Sequence, residues 1–466
     1  MNHKILLTLV AALALFLPAV PAAAQRVPNS GPISPVGPVG NSRSVPVAAG
    51  RNVDAGPDAS QVQPDTHTLS SIESIGSGTL GIVESIFDPS FSFTQSRDTA
   101  ILPGIKTNVS TLGANLGFNH QWSRAQLTGA YNGAQALYYP DSSFNTANHN
   151  LGVVQQFTFS RWLIRLRDDL TVAPDAPFGG LDGGGGALAA MGQYGLHDLN
   201  GAMDDIDAVL TQRAKRIRNM AAAEVNYSLS RRSIVTAAGQ FTTTDFSQPG
   251  FVESQGINGR VGYDYVLSSR NVIGLMYAYD RTNFTNPTDR TRTDSVQMAF
   301  GRRIAGRLAF QIAGGPQMQR SLTQGRNLTW TLTSSMNYGT RRNQYNLSYG
   351  HVFSRGSGVF LGASRHTVVA TMQRALSGTW TSFLAGGYAR NENLTPAPGV
   401  VELFSNYYAT AGVGRAAGRH LQFNFNYGIQ RQIAGAGACP VQACGATQTR
   451  HVFGVTLQWH PWTIVQ

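Results

Sequence analysis

The sequence predicts an all-β protein, a transmembrane antiparallel up-and-down β-barrel of about 18 strands. Three observations carry this. Segments near ten residues long alternate apolar and polar side chains. Tight turns and longer Gly/Asn/Asp/Pro-rich loops separate them in alternation. Charge is scarce, at 13% of residues, where a soluble domain carries about 25%.

The alternation is clearest from His420 to Gln430, where Leu421, Phe423, Phe425, Tyr427 and Ile429 oppose Gln422, Asn424, Asn426, Gly428 and Gln430. Successive strand side chains point to opposite faces, so this segment has one apolar and one polar surface. A soluble sandwich would cover the apolar face with a second sheet, whereas a transmembrane barrel turns it to lipid and its polar face to a hydrated interior. Leu328, Trp330, Leu332, Met336 and Tyr338 alternate in the same way, as do Tyr345, Leu347, Tyr349 and Phe353, and Ile273, Leu275, Tyr277 and Tyr279.

The first residues favour the membrane. Lys4 supplies positive charge, Ile5 to Val20 form an apolar run, and Ala22-Ala23-Ala24 is a small-residue cleavage site, so residues 1–24 read as a secretory signal peptide. No later segment offers the roughly 20 consecutive apolar residues of a transmembrane helix. Residues 25–66, rich in Pro and Gly, are expected to form a disordered periplasmic arm able to meet a periplasmic partner. Residues 67–87 read as a short linker or helix, and 88–462 as the barrel.

Within the barrel, eight tight connections recur near Arg124, Arg161, Arg232, Ser269, Gly306, Arg342, Gly378 and Gly418. Eight hairpins, an opening strand near 88–96 and a closing one near 447–460 give 18 strands; 16 is the alternative. Longer connections are expected at 97–105, 139–148, 173–216, 247–253, 285–291, 320–326, 354–361, 392–402 and 432–446. Aromatics collect beside the tight turns, at Trp122, Trp162, Tyr227, Tyr265, Tyr338, Trp380 and Trp459, where amphipathic rings would mark a headgroup level.

The last strand sets His451, Phe453, Val455, Leu457 and Trp459 against Arg450, Gly454, Thr456, Gln458 and His460. It resembles the closing strand that barrel-assembly machinery recognises in bacterial outer-membrane proteins, except that the chain runs on to Gln466. The pattern from 88 to 460 resembles porins and, in length and arginine content, alginate-export barrels. That resemblance implies outer-membrane lipid and the assembly machinery as partners.

The formal charge of +11 is almost entirely arginine, since Lys4, Lys106 and Lys215 are the only lysines. Export and the absence of zinc-finger spacing or basic–aromatic runs argue against nucleic acid. Arg165, Arg167, Arg260 and Arg303 fall on polar strand faces and are candidate pore-lining residues, together with Asp169 and Asp264. Arginine offers forked donors to carboxylate and phosphate, and a ring of it makes a pore favour anions. The same arginines equally suit neutralising Asp169 and Asp264.

The 173–216 segment is too long for a simple connection. Asp204, Asp205 and Asp207 precede Arg213, Lys215, Arg216 and Arg218, an acidic start and basic end suited to a helix dipole. The resemblance to porins implies a constriction loop narrowing the mouth, and a disordered surface loop is the alternative. Cys439 and Cys444, close together in the last long loop, are expected to form a disulfide in an oxidising compartment.

No His-Glu-x-x-His, phosphate-binding Gly-Lys loop or Gly-x-Ser-x-Gly elbow is present, so no enzyme is expected. The sequence points to an outer-membrane channel for polar, anionic solutes that needs no cofactor. Export of an anionic polysaccharide and a non-transport scaffold or adhesin are the alternatives. The oligomeric state is left open.

Overall fold

The computed structural model describes residues 85–465 except 103–104, 143–144, 174–214, 248–250, 286–287, 305–306, 322–324, 341, 355–359, 395–401, 419, 436–447 and 462–463. Its strands are β1 (Ser85–Leu102), β2 (Ile105–Gln121), β3 (Ala125–Tyr139), β4 (Thr146–Thr158), β5 (Trp162–Ala173) and β6 (Arg216–Ser228). They continue with β7 (Ser233–Phe246), β8 (Ser254–Ser268), β9 (Asn271–Thr285), β10 (Thr288–Ile304), β11 (Leu308–Ser321) and β12 (Gly325–Gly339). The series ends with β13 (Asn343–Ser354), β14 (Ala363–Ala375), β15 (Trp380–Asn393), β16 (Leu403–Ala417), β17 (Leu421–Ala434), β18 (Gln448–Trp459) and the two-residue β19 (Ile464–Val465).

The eighteen long strands each pair antiparallel with the next, and β1 pairs with both β2 and β18, so the sheet closes on itself. The seam runs in register from Phe91 opposite Trp459 to Asp98 opposite Val452, and β19 adds a short patch against Ser85 and Phe87. Closure removes the free sheet edge. The count is the expected eighteen rather than sixteen.

All eight tight connections fall where the sequence places them, at 122–124, 159–161, 229–232, 269–270, 305–307, 340–342, 376–379 and 418–420. Gly418 has φ +74°, a left-handed conformation that glycine adopts without penalty. At the other end, three expected long loops are instead tight hairpins. Pairing continues to Leu102 opposite Ile105, Thr285 opposite Thr288 and Ser321 opposite Gly325, so 97–105, 285–291 and 320–326 are mostly strand. For 285–291 and 320–326 the error has a physical source: beyond the apolar band both strand faces are polar, so Arg, Asn and Asp in a hydrogen-bonded ribbon have the composition of a loop.

Burial alternates along each strand with opposite chemistry on the two faces. Outward residues include Leu328 and Met298, both 74% exposed, while inward residues such as Thr94, Thr456, Asn406 and Gln432 are buried at 0–2%. The aromatics beside the tight turns face outward in pairs: Trp162 with Tyr227 at 4.3 Å between centroids, Phe91 with Trp459 at 6.0 Å, and the Arg415 guanidinium 5.2 Å above Trp380. The outward face contains few charges near mid-strand; Asp168, one of them, accepts a hydrogen bond from Asn219 Nδ2 at 2.9 Å. Small residues let the inward face pack. Tyr408 covers Gly387, Phe383 covers Gly412, and Val369, Ala385, Ala389 and Tyr408 form an apolar cluster on the inner wall of β14–β16.

Candidate functional site

The interior wall is the candidate site, and its charges are unevenly spread. On β5 the inward positions are Leu163, Arg165, Arg167, Asp169 and Thr171, because their register partners on β6, including Glu224, Ala222 and Met220, lie on the buried face. Trp162, Ile164 and Leu166 take the outward positions by the same alternation. β6 adds Arg216, Arg218, Glu224 and Asn226 to the interior, with Arg216 only 5% exposed.

These groups form a connected network. The Arg165 guanidinium lies 3.8 Å from Glu224 and donates to Gln156 Oε1 at 3.3 Å. Arg167 pairs with Asp169 two residues along the same face, and the charge of Arg218 also reaches Asp169. Glu224 accepts from Asn226 Nδ2 at 2.5 Å, and Asn226 Oδ1 accepts from the Thr236 hydroxyl at 2.7 Å on β7. Four guanidiniums therefore descend this wall from the loop end, Arg216, Arg218, Arg167 and Arg165, with Asp169 and Glu224 among them.

Arg260 and Asp264 follow on the interior face of β8, at 8% and 2% exposure. Asp264 projects over β9 at Gly274, where a Cβ would lie 2.3 Å from Asp264 Oδ1; the glycine makes room for the carboxylate. Arg303 is described through its backbone, paired with Ala309. The structure thus brings Arg165, Arg167 and Asp169 together, and sets Arg260 and Asp264 on a strand farther round the wall. Lys215 is exposed beside the start of β6. Asp204, Asp205, Asp207, Arg213, Cys439 and Cys444 lie outside the described residues.

Sequence reasoning missed Glu224, Asp280, Asp289 and the Asp98–Arg450 pair, and set Arg216 and Arg218 at the end of a loop where the structure has them on β6. Arg450 Nη2 lies 2.7 Å from Asp98 Oδ2 across the β18–β1 seam, with the Asp98 side chain 0% exposed. A signal existed for β6, since Arg216, Arg218, Glu224 and Asn226 alternate with Ile217, Val225 and Tyr227. For the seam there was none, because its partners are 352 residues apart in the chain. Among the described residues no group of three His, Cys, Asp or Glu side chains converges as a metal site would require.

No protein-family model matches the chain, and no curated protein matches it. Solved structures similar to it include three from Pseudomonas aeruginosa. OccK2 (OpdF) is 7% identical with a TM-score of 0.42, covering 80% of this chain and 98% of that one. OpdK with vanillate is 9% identical at 0.41, covering 80% and 98%. OprD is 8% identical at 0.39, covering 83% and 98%.

Proposed function

We propose that this chain is an outer-membrane channel through which polar, preferentially anionic, solutes diffuse. The sidedness of the closed sheet carries the reading: its outward surface is apolar and its inward surface is amide, hydroxyl and guanidinium. An exposed apolar band on this scale needs a hydrocarbon cover, and a closed barrel is one of the two architectures that satisfy their backbone in lipid. The tight-turn end then faces the periplasm and the loop end the exterior.

Anion preference is supported by the β5–β6 wall, where Arg165, Arg167, Arg216 and Arg218 outnumber Asp169 and Glu224. Arginine stays charged and presents a planar fork to carboxylate or phosphate. Arg260 and Arg303 are proposed to extend the same path, with Asp264 setting its far side. The segment carrying Asp204, Asp205, Asp207, Arg213 and Lys215 is proposed to narrow the mouth, whereas Arg216, expected in that loop, opens β6 and faces the interior; a Cys439–Cys444 disulfide is proposed to stiffen the last loop. A signal peptide over 1–24 and an arm over 25–66 belong to this reading.

Planar-bilayer recording of the folded chain tests it. Stepwise conductance, with a reversal potential displaced toward the anion under a salt gradient, is expected. A barrel that inserts without conducting overturns the channel, and cation selectivity overturns the preference.

A further inference from the structure

The outward face carries a row of arginines that the channel reading leaves unused. Arg292 on β10 stands directly opposite Arg281 on β9 and Arg320 on β11, and Arg320 stands opposite Arg326 on β12. Four guanidiniums thus lie side by side across four neighbouring strands, spanning about 15 Å at an inter-strand spacing of ~4.8 Å. Arg290 joins from the next outward position of β10, donating to Asn283 Oδ1 at 3.1 Å.

Their outward direction follows from the alternation. The residues between them, Thr282, Thr291, Thr293 and Gln319, are buried at 0–5% on the inward face. The next outward row toward the turn end is Tyr279, Asp294, Met318 and Leu328. Below that the surface is apolar, with Val296, Pro316, Trp330 and Leu332. The ten residue steps from Leu328 to Tyr338 correspond to roughly 33 Å of strand, or about 25 Å perpendicular to the membrane at a tilt of ~40°, the height of an apolar barrel band. The arginines therefore sit at the boundary of that band, at its loop end.

Like charges placed directly opposite one another on a sheet repel, and here the chain repeats that juxtaposition three times. Internal counter-charge is small. Asp294 is the one carboxylate on the outward face of β9–β12 among the described residues. It is taken by Arg292, at 3.0 and 3.1 Å, and by the Tyr277 hydroxyl at 2.7 Å. The Nε groups of Arg281 and Arg320 are enclosed and meet no acceptor among the described residues. Planar forks at a headgroup boundary match the tetrahedral oxygens of phosphate.

We propose that the row Arg281, Arg292, Arg320 and Arg326 is a docking surface for a phosphorylated lipid headgroup of the leaflet at the loop end, with the lipid chains lying on the apolar strip below. This rests on the bilayer-spanning reading. The test is native mass spectrometry of the full folded chain in detergent with diphosphoryl lipid A, dephosphorylated lipid A of the same acyl chains, or inorganic phosphate. At least tenfold preference for the phosphorylated lipid is expected. The triple variant Arg281→Gln, Arg320→Gln, Arg326→Gln should lose it, while Arg302→Gln, outward on β10 near the turn end, should keep it. Equal retention of both lipids, an unchanged triple variant, or displacement of the lipid by inorganic phosphate at equal concentration would overturn the proposal. Conductance of the triple variant separates the two readings: channel steps without lipid preference sink the docking surface alone, and lipid preference without steps sinks the channel alone.

Discussion

The two halves of the interior wall differ in how their polar groups are satisfied. From β5 to β10 the inward face carries Arg165, Arg167, Asp169, Arg216, Arg218, Glu224, Arg260, Asp264, Asp280 and Asp289. From β11 round through β18 to β4 the described inward charges are Arg365, Arg450 and Asp98, and the rest is mainly Ser, Thr, Asn, Gln and apolar residues, with the aromatics Phe383, Phe404 and Tyr408 on β15–β16. On the neutral wall, hydrogen bonds run between adjacent hydroxyls and amides, such as Thr94 to Thr456 at 2.8 Å and Asn115 Nδ2 to Ser90 Oγ at 3.2 Å. On the charged wall they run through ion pairs, with guanidinium in excess on β5–β6 and carboxylates balancing it on β8–β10. On the proposed channel reading, the difference divides the interior into a wall of hydroxyls and amides and a wall whose charges would meet a passing ion.

The sharpest way to break this division is at the seam. Asp98→Ala leaves Arg450 buried without its carboxylate, and breaking such a pair costs about 3–5 kcal/mol. Urea unfolding of the lipid-inserted barrel would register the loss; an unchanged midpoint would remove the seam pair from the account of closure. Next comes a steric contrast. Gly274→Val on the charged wall places a side chain where Asp264 Oδ1 lies 2.3 Å from the Cβ position, an overpacking worth roughly 1–3 kcal/mol. Gly350→Ala on the neutral wall, with nothing within 4 Å of its Cβ position, should stay within about 0.5 kcal/mol of the parent.

Selectivity offers the third test. Replacing both Arg216 and Arg218 by Glu should swing the anion-to-cation permeability ratio about tenfold, equivalent to ~1.4 kcal/mol. Reversal potentials in a salt gradient measure it, with Thr331→Val on the neutral wall as the comparison expected to move less than about twofold. The smallest effect sharpens rather than breaks the picture. Glu224→Gln removes the carboxylate 3.8 Å from Arg165 and should raise anion preference roughly threefold, because a buried guanidinium then lacks its counter-charge. A shift toward cations would show that Glu224 was not holding Arg165 out of play.

Much of this protein is written in local pattern. Leu421 to Gln430 alternates so regularly that its two faces are legible from residue identity alone, and turns such as Arg341-Arg342 and Gly418 mark where strands reverse. The Arg165/Arg167/Asp169 face was legible for the same reason, since a period of two needs only neighbouring residues. The pairing out to Thr285 opposite Thr288 and Ser321 opposite Gly325 was not legible, because polar residues look alike in a loop and in a strand that has left the apolar band.

The sequence by itself determined the class of fold, the strand count and which side chains share a face, because each depends on spacing along one strand. Only the tertiary structure decided which residues meet across strands: Arg165 with Glu224, Arg450 with Asp98, and Arg292 between Arg281 and Arg320. The physical reason is register. A strand fixes the direction of its side chains internally, but its alignment against a neighbour is set by turn geometry and by closure of the whole sheet, and a shift of one residue would exchange every partner.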